Sequence, residues 1–315
     1  MEDDLKSKAS TQALNLPTAS ISKVRIQTDV QPAPFVARIS SKGPNIVDPA
    51  ILKPDVIAPG IDILAAGNPS SKSTNFVFMS GTSMATPHVA AVAGLLKSIH
   101  PEWSPAAIKS ALMTTATTKD YRGNPMQESD FKKLKDATPF AYGAGVIQPN
   151  LAVDPDLIYE LDIKDHMDHF WHRGIYDKDE SKSTLNILNY KYNYPSISIP
   201  NLQFNHPQTA TRVLTNVGSP GKYEVTVEAP PQVRVEVDPT ELEFKEKDQK
   251  EKYKITFTLD SEPNDTNDYV FGSLVWKDGK HNVNSIICVK LGRTSPSSTR
   301  PKKIIAKYKR HADSD

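Results

Sequence analysis

The chain has 315 residues, of which 38% are hydrophobic and 24% charged, a composition typical of a globular protein with about two domains. A formal net charge of +1 gives no general attraction to nucleic acid or to a membrane surface, and we expect neither as a partner. Cys288 is the only cysteine, which excludes an intrachain disulfide and a cysteine-based metal cage. No apolar run reaches the roughly 18 residues that would span a bilayer.

The N-terminal region has few structural signals. Residues 1–22 are polar and rich in Ser and Thr, and we expect them to be a disordered leader. Four of the first six residues are charged, and the segment lacks the apolar core of a signal peptide. Alternating patterns over Lys23–Thr28 and Val36–Ser40 predict two strands.

Short apolar runs then precede a helix of small residues. Pro54–Ala58 and Ile61–Ala65 are typical of buried strands in a parallel sheet, and Phe76–Phe78 of the buried end of another strand. Gly81 allows a sharp turn, after which the pattern predicts a helix from about Ala85. The face of this helix expected in the core consists of Val89, Val92, Ala93 and Leu96. The small residues Ala90, Ala91 and Gly94 are expected to allow close packing on a sheet.

A second helix is predicted to begin at Ser104-Pro105, with Ser as N-cap and Pro at the first helical position. Its expected buried stripe is Ile108, Ala111, Leu112 and Thr115. Residues 119–138 are polar and predict a surface excursion, whereas Gly143 and Gly145 indicate a tight backbone passage.

Ser83 is the candidate catalytic residue. At the start of a helix the unpaired backbone N–H groups favour developing negative charge. A serine hydroxyl there could attack a carbonyl group, and its own N–H could hold the resulting oxyanion. The alternative is that Gly-Thr-Ser serves only as an N-cap.

Three ordered motifs resemble those of subtilisin-like serine proteases: Lys53-Pro-Asp-Val-Ile-Ala-Pro-Gly60, Ser80-Gly-Thr-Ser-Met-Ala-Thr-Pro-His88 and His100-Pro-Glu-Trp-Ser-Pro105. Ser40–Asn45 and Tyr142-Gly-Ala-Gly145 are similar to the plant, cucumisin-like branch. The resemblance implies a serine endopeptidase acting on proteins or peptides without cofactor or metal, in the extracellular space or cell wall. It makes Ser83 the nucleophile, with oxyanion support from the Thr82 hydroxyl and the Ser83 backbone.

The two partners of that serine are not recognisable in the sequence. In the family an Asp and a His precede the nucleophile, yet no Asp here is followed by Thr-Gly or Ser-Gly, and none of the eight His by Gly. His88 lies about 500° around the helix from Ser83, which favours a structural role. We therefore expect the triad Asp and His to be absent from this chain, which resembles the C-terminal portion of such an enzyme over residues 23–292.

Three histidines, His166, His169 and His172, lie at a spacing of three. A metal site is conceivable, but a solvated amphipathic helix around Met167, Phe170 and Trp171 is favoured, because no carboxylate or cysteine completes a persuasive ligand set.

From residue 195 onward, alternating strands separated by turns predict an antiparallel β-sandwich. The predicted strands are Thr209–Val217, Lys222–Glu228, Val233–Val237, Glu251–Leu259, Val270–Trp276 and Val283–Leu291. Asn193–Ile197 and Arg212–Gly218 carry a resemblance to the fibronectin type III-like domain of plant subtilases. That domain suggests an alternative function, a non-catalytic binding or regulatory module, and a possible homo-oligomer. Asn264–Thr266 is a glycosylation sequon that we expect to remain unused.

The predicted fold class is α/β, the C-terminal part of a subtilisin-like parallel-sheet catalytic domain followed by an all-β fibronectin type III-like sandwich. The predicted domains are a leader (1–22), the peptidase part (23–160), a linker (161–194), the sandwich (195–292) and a basic disordered tail (293–315).

Overall fold

The computed structural model describes residues 32–67, 76–130, 133–172, 192–263 and 269–292, with backbone only for 170–172. The predicted leader, the strand Lys23–Thr28, the sequon and the basic tail lie outside these ranges. No helix within the described ranges is long and apolar enough to cross a membrane.

The first part of the fold, residues 32–153, combines two main helices with short hairpins. Its elements are β1 (Ile63–Ala66), β2 (Phe76–Met79), α1 (Thr82–Ile99), α2 (Pro105–Thr114), β3 (Gln127–Asp130), β4 (Lys133–Asp136), α3 (Pro139–Tyr142) and α4 (Pro149–Ala152). The predicted polar excursion at 119–138 contains the β3–β4 hairpin, and it buries Met126 and Glu128.

Helix α1 has the predicted core face. Leu96 is buried, and Val89, Val92 and Ala93 are half-buried. The prediction of close packing at the small residues is wrong among the described residues, because Ala90, Ala91 and Gly94 are all exposed. A Cβ placed on Gly94 would meet no atom within 4 Å, which shows that no described sheet lies against this side of the helix.

Helix α2 begins as predicted, with Pro105 in its first turn and the Ser104 hydroxyl accepting a hydrogen bond from Ala107 N at 3.0 Å. Its burial is wider than one stripe. Ile108 and Thr115 are only half-buried, whereas Ala107, Ser110, Ala111, Leu112, Met113 and Thr114 are buried. The reason is that α2 contacts α1, α4 and two strands of the sandwich.

The parallel strands predicted for 54–65 and the burial predicted for Phe76–Phe78 are both wrong. β1 pairs with β2 in antiparallel register, and the segment before it contributes only an isolated parallel bridge from Ile57 to Val146. The candidate strand at Val36 is likewise a single bridge to Glu128. Phe76 and Phe78 are each 62% exposed, because no described element covers the face of this hairpin.

The second part is a β-sandwich of two sheets, with strand orders β10-β8-β12-β13-β6 and β5-β7-β11-β9. Its strands are β5 (Leu157–Ile158), β6 (Ile197–Gln203), β7 (Gln208–Asn216), β8 (Gly221–Glu228), β9 (Val233–Asp238), β10 (Glu241–Phe244), β11 (Lys250–Leu259), β12 (Tyr269–Lys277) and β13 (Asn282–Gly292). All six predicted strands are confirmed. β5, β6 and β10 were not predicted, and β6 pairs with β13 in parallel.

The two parts are joined through the residues that connect them. β5 adds to β7 as an edge strand, and the Tyr159 hydroxyl reaches the sandwich core, 2.8 Å from Tyr253 Oη and 2.9 Å from Ser285 Oγ. Leu52 and Met113 pack with Ile286 and Cys288 in one buried cluster. These contacts fix α2 on the sandwich, and α1 packs on α2.

Candidate active site

Ser83 is exposed in the first turn of α1. The helix begins at Thr82 rather than at Ala85, so Ser83 is its second residue. The N-cap is Gly81, which makes no side-chain capping bond, and the first helical bonds run from Met84 N and Ala85 N to Gly81 O. The Ser83 N–H therefore comes before the first N–H that bonds within the helix. It lies at the start of the helix, where negative charge is favoured.

The turn before Ser83 is held by the segment around Gly60. Gly81 N donates to Gly60 O at 2.7 Å, and the Ser80 hydroxyl bonds Asp62 N at 2.8 Å and Asp62 Oδ1 at 3.2 Å. A Cβ on Gly60 would lie 2.8 Å from Gly81 O and 3.2 Å from Ala85 Cβ, so only glycine allows this approach. This contact holds the motif at residues 53–60 directly against the motif at residues 80–88.

His88 has the structural role that its helical position predicts. Its Nδ1 lies 2.8 Å from Met84 O, four residues earlier on the same helix, so this nitrogen donates to the backbone. Thr86 makes a comparable bond to Thr82 O at 2.9 Å. Neither side chain is placed to accept the Ser83 proton through these contacts.

Asp55, in the first motif, connects the first part of the fold to the segment that leads into the sandwich. It accepts hydrogen bonds from the Tyr194 hydroxyl and from Lys53 Nζ, the latter at 2.7 Å. Lys109 Nζ lies 3.9 Å from the same carboxylate and over the Tyr194 ring. Burial, together with the charge of Asp55, raises the pKa of Tyr194, which keeps the phenol protonated as a donor.

The His100–Pro105 motif also stabilises local structure. His100 Nε2 lies 2.9 Å from Val153 O, and its ring stacks on Trp103 with 3.9 Å between centroids. Lys97 Nζ donates to the carbonyl oxygens of Pro101 and Trp103 at 2.7 Å each. The motif therefore caps the end of α1 and directs the chain into α2.

The spaced histidines lie on α5 (Ile163–His172), the helix that the pattern predicted. His166 Nδ1 bonds the Tyr192 hydroxyl at 2.6 Å, whereas His169 Nε2 lies 3.1 Å from Asp48 and stacks on Tyr192. Both imidazoles thus contact Tyr192, but only His169 also faces the Asp48 carboxylate, and the side chain of His172 lies outside the described residues. Met167 is 62% exposed, as expected for a solvated helix, and the side chains of Phe170 and Trp171 lie outside the described residues.

One cluster was not anticipated from the sequence. Ligand atoms of Asp154, Asp156 and His281 lie within 4.8 Å of one another, close to Asp278. Both ring nitrogens of His281 already face carboxylate oxygens, so the cluster is complete as a set of ion pairs without a metal. Its residues lie in turns more than 120 positions apart, which is why no local pattern reveals it.

Comparison with known proteins settles the family. The model of the subtilase family matches residues 7–145, and the model of a fibronectin type-III domain matches residues 191–289. The chain belongs to the subtilase family. This confirms the resemblance found in the motifs and the predicted order of a subtilase part followed by a fibronectin type III-like domain.

Plant members of the family match most of the chain. Subtilisin-like protease SBT5.3 from Arabidopsis thaliana is 43% identical over 87% of this chain and 37% of the relative. SBT5.4 and SBT1.7 from the same plant are 40% and 43% identical, covering 36% and 38% of their lengths. This subtilase chain thus spans a little over a third of the relatives it matches.

Proposed function

We propose that this chain supplies the nucleophile of a subtilisin-like serine endopeptidase whose substrates are proteins or peptides. The observation that carries the proposal is the exposed Ser83 in the first turn of α1, inside the motif by which the chain resembles the family. By the same resemblance, we propose that the whole protein acts in the extracellular space or cell wall.

In the proposed reaction Ser83 Oγ attacks the carbonyl carbon of the scissile peptide bond. The Ser83 N–H stabilises the oxyanion, and the Thr82 hydroxyl assists it. The general base takes the Ser83 proton during the attack and passes it to the departing amine as the tetrahedral intermediate collapses. An acyl-enzyme remains, which water then hydrolyses to the free acid and Ser83.

The general base and its orienting Asp are proposed to come from sequence outside these 315 residues. His88 donates to Met84 O, and the family's Asp and His motifs do not occur in the sequence. In subtilisin, loss of the catalytic His lowers kcat on the order of 10⁶-fold. We therefore expect the chain by itself to turn over substrate at close to the background rate.

A chimera tests the proposal. Residues 23–292 replace the matching region of SBT5.3, and the product is treated with a fluorophosphonate probe and a fluorogenic peptide. We expect labelling and hydrolysis that Ser83→Ala abolishes. Ser98→Ala is the control, because Ser98 lies near the other end of α1 and bonds only locally, to Leu95 O at 2.8 Å. A folded chimera without labelling, or labelling that survives Ser83→Ala, would contradict the proposal.

The alternative function is a non-catalytic binding or regulatory module that acts through the sandwich, and a homo-oligomer is one form that it could take. The observation behind it is that the sandwich has a core of its own, which buries side chains from both sheets in one cluster, including Tyr223, Tyr253, Phe257 and Trp276. Sedimentation of the full chain and of residues 154–292, which include β5, tests it. Equal dimerisation of both, with an inactive chimera, favours this alternative, whereas a monomeric 154–292 segment excludes self-association through the sandwich.

A further inference from the structure

The cluster around His281 joins two turns from different parts of the chain. Asp154 and Asp156 lie in the turn that connects α4 to β5, whereas Asp278 and His281 lie in the β12–β13 hairpin turn. Val217 N donates to Asp156 O at 2.8 Å, which brings the β7–β8 turn against the same site. The cluster therefore lies where the chain passes from the first part of the fold, residues 32–153, into the sandwich.

The imidazole of His281 is surrounded by carboxylates on both sides. Its Nδ1 lies 2.9 Å from Asp278 Oδ2 and 3.4 Å from Asp156 Oδ2, and its Nε2 lies 3.2 Å from Asp154 Oδ2. A neutral imidazole has one N–H, so one nitrogen would then direct a lone pair at a carboxylate. Only the doubly protonated ring satisfies both sides.

Burial makes this arrangement energetically significant. The side chains of Asp156, His281 and Asp278 are only 6%, 13% and 17% exposed, whereas Asp154 is 59% exposed. The remaining charged group is Lys280, 73% exposed, whose Nζ lies 3.1 Å from Asp154 Oδ2. The groups facing His281 thus carry three negative charges and one screened positive charge.

The pKa values follow from these contacts. Burial lowers the pKa of His281, but the hydrogen bonds to Asp278 and Asp154 and the charge of Asp156 outweigh it and raise the pKa. Burial likewise opposes ionisation of Asp154 and Asp278, yet bonds to His281 and Lys280 leave the pKa of both carboxyls lowered. The pKa of Asp156 is raised, mainly by burial.

We propose that His281 is a pH-sensitive latch, which holds the Asp154–Asp156 turn against the hairpin when protonated and releases it when the proton is lost. A raised histidine pKa gives stability that is fully present below about pH 6.5 and is lost as pH rises through the folded-state value. The lowered pKa values of Asp154 and Asp278 give stability that is present above about pH 3.9 and is lost as pH falls. The latch is closed between these limits and opens on the alkaline side.

The test measures amide hydrogen exchange at Asp154, at Asp156 and at residues 278–281 in the full chain between pH 5 and 9, as protection factors corrected for intrinsic rates. We expect protection to fall as His281 deprotonates, by about tenfold for each unit by which folding raises its pKa. His281→Gln should remove this fall. His206→Gln, at an exposed position outside the cluster, should retain it.

Asp154→Asn provides a second measurement that does not depend on the His281 variant folding. Asp154 is largely exposed, so the substitution preserves packing while it removes the carboxylate at Nε2. We expect the His281 ring resonances to titrate at a lower pH in this variant than in the wild type. Titration of His281 at the ordinary histidine pKa in the wild type, or the same pH dependence of protection with and without His281, would overturn the proposal.

Discussion

At the scale of single residues, Arg212 shows how a charge is held inside the sandwich. Its side chain is 1% exposed and donates from Nε to Tyr194 O, from Nη2 to Ser196 O and from Nη1 to Thr211 O, at 3.0 to 3.1 Å. Burial lowers the pKa of the guanidinium, and the carbonyl oxygens compensate part of that cost. Arg212 thereby fixes the segment that leads into β6.

Replacement of Arg212 by Lys tests the value of this planar donor set. A single ammonium keeps the charge but cannot reach three divergent carbonyl oxygens, so buried acceptors lose their partners. We expect Arg212→Lys to lower the free energy of unfolding in urea by about 2–3 kcal/mol.

Arg234→Lys is the matched control for Arg212→Lys. Arg234 is 59% exposed and lies 3.7 Å from Glu236, an ion pair that water screens, so we expect little change. Equal effects of the two substitutions would show that the Arg212 hydrogen bonds contribute little.

At the scale of elements, the Tyr142–Gly145 loop passes between two other segments of the first part. Val146 bridges both Ile57 and Thr117, and the glycines beside it have φ of 64° at Gly143 and 124° at Gly145. A Cβ on Gly145 would lie less than 3.0 Å from Thr117 O, and one on Gly143 equally close to Pro54 O. The glycines of this motif are thus required by backbone contact, as their spacing predicted.

Gly145→Ala should destabilise the protein by more than its backbone conformation alone explains. Gly123 separates the two effects, because its φ of 82° is also positive while a Cβ there meets nothing within 4 Å. We expect Gly123→Ala to cost about 1 kcal/mol and Gly145→Ala clearly more. Thermal unfolding of both variants measures the difference, and equal costs would contradict steric contact with Thr117.

The elements also show what sequence patterns can and cannot predict. Strands such as β7 and β11 were predicted because apolar and polar residues alternate along them, and the apolar face of each is buried inside the sandwich. β6 was missed because Pro200 interrupts its pattern, and β5 because two residues carry no period. The exposure of Phe78 could not be predicted, because a short apolar run does not show which other element of the fold, if any, packs against it. Ser83 was found through its motif, whereas the His281 cluster depends on folding alone.

At the scale of the whole molecule, the subtilase part depends on the sandwich for much of its burial. One core cluster of the first part, centred on Leu96, Trp103 and Leu112, includes Ile158 of β5, and another contains Ile286 and Cys288 of β13. The largest core cluster lies in the sandwich, and Tyr159 belongs to it. Because β5 carries residues of both clusters side by side, neither cluster can open without disturbing the other.

We therefore expect the two parts to unfold in one transition. Trp103 and Trp276 report separately on them, since they are 4% and 0% exposed in different clusters. With Trp171 replaced by Phe, variants that retain only Trp103 or only Trp276 should show fluorescence changes at the same urea concentration. Ile158→Ala should lower both midpoints together, because it removes side-chain contacts at the shared strand. An earlier transition at Trp103, with Trp276 unaffected by Ile158→Ala, would show that the subtilase part unfolds independently of the sandwich.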